Sequence, residues 1–107
     1  QKYWFRGQVT EGWCMLHDPR STLTIGMAWP REKVPYLGMW LNEGAWEDQY
    51  NIAPEPATGA MDRVDMAKAW GMGSALAPHE TREWHLAISL ASGARPAGVK
   101  PDGAFIM

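Results

Sequence analysis

Residues 13–27 have the sequence WCMLHDPRSTLTIGM. An apolar run of strand length stands at each end of this stretch, and the polar segment Asp18-Pro19-Arg20-Ser21 lies between the two runs. Asp tolerates turn conformations and Pro fixes the backbone angle at the first central position of a turn. The stretch therefore predicts two antiparallel strands joined by a tight turn.

The neighbouring segments extend this pattern in both directions. Upstream, a short aromatic run at residues 3–5 is followed by a break at residues 10–12. Downstream, Val34 to Leu41 has apolar residues on both faces, which is typical of a strand inside a sheet. The extended stretch Gln49 to Pro56 contains two prolines, which cannot donate to a sheet ladder. We therefore expect it to be an edge strand or a strand that ends at the rim of a site.

The cleanest alternation in the chain lies between Thr81 and Leu90. It places Trp84, Leu86, Ile88 and Leu90 on one side of a predicted strand, with Trp84 in the core. Met61 to Met72 is the one predicted helix, with Asp62 as its cap. We therefore predict an all-β fold, an antiparallel β-sandwich with one short helix. Residues 1–91 form the sandwich domain in this prediction, and residues 92–107 form a flexible tail rich in Gly, Pro and Ala.

Composition restricts the partners. The formal net charge is −2 and no stripe of Lys or Arg is present, so neither nucleic acid nor an anionic membrane surface is expected as a partner. No apolar run approaches the ~20 residues needed to cross a bilayer. Cys14 is the single cysteine, which favours a reducing compartment such as the cytoplasm. The seven Trp either fill a core or stack on the faces of sugars or bases.

Several common catalytic patterns are absent. Gly71-Met72-Gly73-Ser74 has a superficial likeness to a phosphate-binding loop, but it lacks the flanking strand, the Lys and the full spacing. The three histidines, His17, His79 and His85, have no ligand spacing, so we expect no metal and no cofactor. No nucleophile elbow is visible.

Three blocks point to a known family. They are PYLGMW at residues 35–40, YNIAPEPATG at residues 50–59 and LAPHET at residues 76–81. Over residues 34–90, their order and spacing resemble the C-terminal part of the aldose 1-epimerase, or galactose mutarotase-like, family. The resemblance implies that the chain is the C-terminal portion of a larger antiparallel supersandwich that handles a hexose-like sugar.

The resemblance also implies a mechanism. Glu55 stands where the family has the general base that removes the proton from the anomeric hydroxyl, while a histidine protonates the ring oxygen. The histidines of the family come from earlier in the chain, and no residue of this sequence lines up with them. The chain would therefore be an isomerase only if an upstream half completed it. Without the resemblance, Glu55 is interpreted as a solvated loop carboxylate.

Aromatic and amide side chains near this block are candidates for sugar binding. We predict that Trp40, Asn42 and Trp46 contact the substrate, since the C–H faces of sugars prefer flat aromatic surfaces and polar groups orient hydroxyls. Two alternatives stay open. The chain could be a non-catalytic carbohydrate-binding β-sandwich module, or an interaction domain that self-associates as a homo-oligomer through open sheet edges.

Overall fold

The computed structural model describes all of residues 1–107. It contains eight strands and one helix. In chain order these are β1 (Lys2–Trp4), β2 (Trp13–Asp18), β3 (Leu23–Ala28), β4 (Tyr36–Glu43), β5 (Tyr50–Ala57), α1 (Val64–Ala69), β6 (Ala87–Ser92), β7 (Gly98–Val99) and β8 (Phe105–Ile106). The helix has six residues, and no helix of the chain is long and apolar enough to cross a membrane.

The strands form antiparallel sheets, which confirms the predicted all-β, sandwich-like fold with one short helix. One sheet has the order β1-β4-β5 and a second has the order β2-β3-β6; we call them the β4 sheet and the β3 sheet after their central strands. β7 and β8 pair with each other. The β2–β3 hairpin is inserted between the paired strands β1 and β4, so the chain leaves the β4 sheet and returns to it.

The hairpin predicted from residues 13–27 is confirmed. β2 and β3 pair from Trp13 opposite Ala28 to Asp18 opposite Leu23. The Asp18 carboxylate accepts hydrogen bonds from the backbone N–H of Arg20, at 3.0 Å, and from the Ser21 hydroxyl, at 2.7 Å. The side chain of Asp18 therefore closes the turn through local hydrogen bonds, as Asp commonly does.

The edge position of the proline-containing strand is also confirmed. β5 pairs with β4 along its whole length, with Met39 opposite Pro54 and Leu37 opposite Pro56, and no strand lies on its other side. A proline lacks an N–H, so it is tolerated on an edge strand, where one side of the backbone forms no ladder.

The strand expected at Thr81 to Leu90 differs from the structure. The strand is β6, and residues 81–86 are irregular. Ile88 and Leu90 lie on the outer face of the β3 sheet, 60% and 76% exposed, and the predicted core position of Trp84 is wrong because it is 51% exposed. The inner face instead has Ala87, Ser89 and Ala91, whose small side chains let another segment approach closely.

That other segment is the end of the chain, which differs from the flexible tail expected over residues 92–107. β7 and β8 lie on the inner face of the β3 sheet, and Val99 is buried. A Cβ added to Gly26 would be 2.7 Å from the Phe105 ring, and the Ser89 hydroxyl donates to the Gly103 carbonyl at 2.6 Å. The composition of these residues predicted flexibility, but the small residues make a close-packed layer.

The helix is shorter than predicted and is capped differently. It spans Val64–Ala69 instead of residues 61–72, and Arg63 occupies the N-cap without a capping hydrogen bond from its side chain. The predicted cap, Asp62, is wrong because its carboxylate faces Lys2 at 3.2 Å. Ala67 is the one helix residue that is buried.

The core is small and divided. One cluster contains Trp29, Val34 and Leu37, and another contains Tyr36, Ala60 and Met72. The radius of gyration is 15.6 Å, whereas a compact chain of this length has about 13 Å. The molecule is therefore elongated, and much apolar surface stays in contact with water.

Candidate functional site

The three predicted sugar-binding residues line one concavity. Trp40 and Asn42 belong to the end of β4, and Trp46 lies in the loop that follows, so the strand and its loop together form a hollow of about 320 Å³ that we call the tryptophan cleft. Gln1 and Glu43 add polar groups to its lining. A cleft of this volume, with aromatic walls and a few polar groups, has the size of a small-molecule site.

Asn42 gives the cleft its shape. It is buried, and its amide N–H₂ donates to the Trp46 carbonyl at 3.1 Å and to the Asn51 side-chain oxygen at 3.2 Å. Its own side-chain oxygen accepts from the Trp46 N–H at 3.2 Å. These bonds use both N–H groups of the Asn42 amide and hold Trp46 in place at the edge of the cleft.

The Trp46 side chain is free for contact with a ligand. Trp46 is 58% exposed, although the backbone that bears it is fixed by Asn42. Trp40 is half-buried on the strand beside it. An exposed indole on a fixed backbone offers a flat apolar surface at low entropic cost, which suits stacking against a ring.

Glu55 lies in a cluster of charges on the β4 sheet. Its carboxylate forms an ion pair with the Lys2 ammonium, which also faces the Asp62 carboxylate at 3.2 Å. Lys2 and Glu55 belong to the two outer strands of the sheet, on either side of β4. The Lys2 side chain crosses β4 at Gly38, where an added Cβ would lie 3.2 Å from the Lys2 Cε. Because Gly38 has no side chain, there is room for this ion pair above β4.

Lys2 is held as a cation in this cluster. Partial burial of its amine opposes the charge, but the hydrogen bonds and negative charges of Glu55 and Asp62 outweigh that effect and raise the pKa of Lys2 above its usual value. The ammonium also lies 4.7 Å from the centre of the Trp4 ring, a cation–π contact. The cluster thus contains one ammonium between two carboxylates and against an indole.

Glu55 and the tryptophan cleft share one face of the β4 sheet. In the antiparallel register Gly38 is opposite Glu55 and Trp40 is opposite Ala53, so Glu55 and Trp40 are diagonal neighbours on the same side. Glu55 is nevertheless outside the lining of the cleft, and its side chain is 39% exposed. The structure therefore brings Trp40, Asn42 and Trp46 together and places Glu55 beside them.

None of the three histidines is a neighbour of Glu55. His17 on β2 shares a hydrogen bond of 2.8 Å with the Thr24 hydroxyl. His79 lies in a turn with φ of 62°, and His85 lies near Trp13 and Trp29 in another hollow. The titratable groups that contact Glu55 and its ion pair are Lys2 and Asp62.

The sequence did not predict Lys2 as a partner of Glu55. The pairing of β1 with β4 joins residues almost forty positions apart, and no local pattern indicates it. Gly38 was the available signal, since a glycine inside an apolar strand often marks a place where another group approaches closely.

Comparison with known proteins finds no match to this chain among protein-family models, curated proteins or solved structures. The resemblance to the mutarotase-like family therefore stays a prediction, and the site is interpreted from its own geometry.

Proposed function

We propose that the chain is a carbohydrate-binding protein whose ligand is a hexose-like sugar in the tryptophan cleft. The observation that supports this is the convergence of Trp40 and Trp46 on one hollow with polar groups at its rim. The C–H face of a pyranose stacks on the exposed indole of Trp46, while Gln1 and Glu43 offer hydrogen-bond partners to its hydroxyls. Asn42 keeps the cleft in shape before the ligand arrives.

Replacing Trp46 tests this function. In Trp46→Ala, loss of the stacked indole is worth about 1.4 kcal/mol, so the affinity for D-glucose or D-galactose falls roughly tenfold in isothermal titration calorimetry. The matched control is Trp70→Ala, since Trp70 is 62% exposed but outside the cleft. Trp70→Ala should bind like the unaltered protein. Equal loss in both variants, or no heat with either sugar, contradicts the proposal.

A second candidate function is acid–base interconversion of sugar anomers, in the manner of a mutarotase. It is favoured by the position of Glu55 on the same face as Trp40 and by the contact of its carboxylate with the Lys2 ammonium. In this proposal Glu55 accepts the proton of the anomeric hydroxyl. Lys2, whose ammonium contacts Glu55, donates to the ring oxygen and takes the part that the family gives to a histidine.

Optical rotation distinguishes binding from catalysis. If Glu55 is a base, the protein speeds the mutarotation of freshly dissolved α-D-glucose, and Glu55→Gln slows it at least a hundredfold because the amide cannot accept the proton. The control is Glu83→Gln, which removes an exposed acid outside the charge cluster. A rate equal to that of buffer for the unaltered protein eliminates the catalytic proposal and leaves the binding function standing.

The proposal extends to location and assembly. A reducing compartment such as the cytoplasm suits a chain with a single free thiol, Cys14. The free edge of β5 and the apolar outer face of the β3 sheet favour association with a second copy, or with an upstream portion of a larger sandwich.

A further inference from the structure

A second concavity, of about 740 Å³, lies around the helix. Its walls are the segment after β5 (residues 58–62), the helix α1 and the segment after it (residues 71–75). We call it the helix cleft. Its volume lies in the range of small-molecule sites, and it shares no lining residue with the tryptophan cleft.

The walls of the helix cleft are fixed to each other by backbone hydrogen bonds. The Ala60 N–H donates to the Met72 carbonyl at 2.8 Å, and the Met72 N–H donates to the Ala67 carbonyl at 2.8 Å. A Cβ added to Gly59 would lie 3.2 Å from the Ser74 nitrogen, so the two segments are packed closely at this glycine. Ala60 and Met72 are also buried together. The cleft is therefore formed without a ligand, which lowers the entropic cost of binding one.

Lys68 gives the helix cleft a positive charge. It lines the cleft and has no ion-pair partner. Asp62 also lines the cleft, but its carboxylate faces Lys2, and Asp65 pairs with Arg63. A lysine ammonium is a compact point charge that commonly binds phosphate.

A second cation supports the far wall of the cleft. The Arg82 guanidinium donates to the Ser74 hydroxyl at 2.9 Å and to the Ala75 carbonyl at 2.7 Å, and it also contacts Glu80. These bonds hold residues 74–75 beside the cleft. They leave the backbone N–H groups of that segment unused.

The unused donors are consecutive. The backbone N–H groups of Gly73, Ser74 and Ala75 donate to no protein acceptor, and the Thr58 hydroxyl, on the opposite wall, is also unbonded. Successive free N–H groups beside a cation are the elements from which backbone anion sites are built. An oxyanion is the ligand that such donors fit, because Lys68, the three N–H groups and the Thr58 hydroxyl can all donate to it, while the one carboxylate in the lining, Asp62, faces Lys2.

We propose that the helix cleft binds the phosphate group of a small ligand, through Lys68 and the N–H groups of residues 73–75. The glycine-containing segment 71–74 has no Lys after it, which argues against a phosphate-binding loop in the sequence, but the fold supplies Lys68 from the helix before it. The site is separate from the proposed sugar site and does not depend on it.

Inorganic phosphate is the probe for the first test, with ¹⁵N-labelled full-length protein at pH 7. The amide resonances of Gly73, Ser74 and Ala75 should shift saturably as phosphate is added. Lys68→Gln should weaken binding roughly tenfold, because a charge-assisted hydrogen bond is lost, whereas Lys68→Arg should stay within about twofold. Lys100→Gln removes the same charge from an exposed position outside the cleft and should change nothing.

The outcomes are distinct. The proposal is overturned if the shifts at residues 73–75 are linear and do not saturate. It is also overturned if Lys68→Gln and Lys100→Gln weaken binding equally, since phosphate would then respond only to the net charge of the molecule. Titration with glycerol 3-phosphate identifies the source of the phosphate: tighter binding than inorganic phosphate indicates a phosphate monoester, and equal binding indicates the free ion. Trp46→Ala should retain phosphate binding, so failure at one cleft is distinguishable from failure at the other.

Discussion

At the scale of single residues, the charge cluster forms across Gly38, which has no side chain. Lys2 reaches Glu55 across Gly38, where an added Cβ would lie 3.2 Å from the Lys2 Cε, and the rings of Trp4 and Trp40 lie along the same face. Asn42 shows the opposite case, in which a buried polar side chain is present and both of its N–H donors are used within the protein. Gly38 and Asn42 therefore both affect the site through the positions of other side chains.

Cys14 provides a prediction at this scale. It lies half-buried beside the cluster of Trp29, Val34 and Leu37, and burial raises the pKa of its thiol to about 11. Only the thiolate is a nucleophile, and at pH 8 about one thiol in a thousand is then ionised. Alkylation by iodoacetamide, followed by mass spectrometry, should be far slower in the folded chain than in urea. It should speed up about tenfold for each pH unit between 8 and 10, and equal rates in folded and unfolded chains would contradict the buried position.

At the scale of elements, the sequence predicted what local patterns determine. The β2–β3 hairpin, the edge position of β5 and the presence of one helix follow from turn residues, prolines and spacing, and they agree with the structure. The inner face of β6 did not follow, because the alternation of large and small residues shows two faces without showing which one is covered. The face of β6 that has small side chains is covered by β7 and β8, and the composition of those two segments is typical of a loop.

The same limit applies to the site. The cleft residues Trp40, Asn42 and Trp46 lie close together in sequence, so their convergence could be predicted from one strand and its loop. The ion-pair partner of Glu55 could not, since Lys2 reaches it through the pairing of β1 with β4, which joins distant segments. Residues that are joined by tertiary pairing have no periodic signature.

Gly26 tests the packing of the chain end on the β3 sheet. In Gly26→Ala the new methyl group would lie 2.7 Å from the Phe105 ring, so β7 and β8 must shift, at a cost of about 1–3 kcal/mol in the free energy of unfolding. Amide hydrogen exchange at residues 97–106 should become faster. Gly73→Ala is the control, because the atom nearest to its added Cβ would be the Lys68 nitrogen at 3.9 Å, an ordinary van der Waals distance. Unchanged exchange in Gly26→Ala would show that the chain end is not seated on the sheet.

At the scale of the whole molecule, the distribution of apolar surface is unusual. Only 16 of 107 residues are buried, while the outer face of the β3 sheet presents Leu23, Ile25, Ile88 and Leu90 to water. Register places these four side chains on one side of the sheet, so they form a continuous patch. Contiguous apolar patches of this kind mark surfaces that pair with another layer.

Substitution on this face should leave stability unchanged. Because Ile88 and Leu90 are mostly exposed, the double variant Ile88→Ser, Leu90→Ser should alter the free energy of unfolding by no more than about 0.5 kcal/mol, while it lowers binding of an apolar dye and concentration-dependent association in sedimentation. The contrasting variant is Val99→Ser, at a buried position, which should cost about 2 kcal/mol or more. A large loss of stability in the double variant would mean that the outer face is covered.

The insertion of the β2–β3 hairpin between β1 and β4 also has a consequence for the order of folding. The β2–β3 and β4–β5 pairs are each joined by a short loop, so their closure costs little entropy. β1 pairs with a strand more than thirty residues away, and closing that longer loop is slower. We expect the first strand to join last and to detach first when the protein opens locally. The ion pair between Lys2 and Glu55 then holds β1, the last strand to join, on the sheet after it has paired with β4.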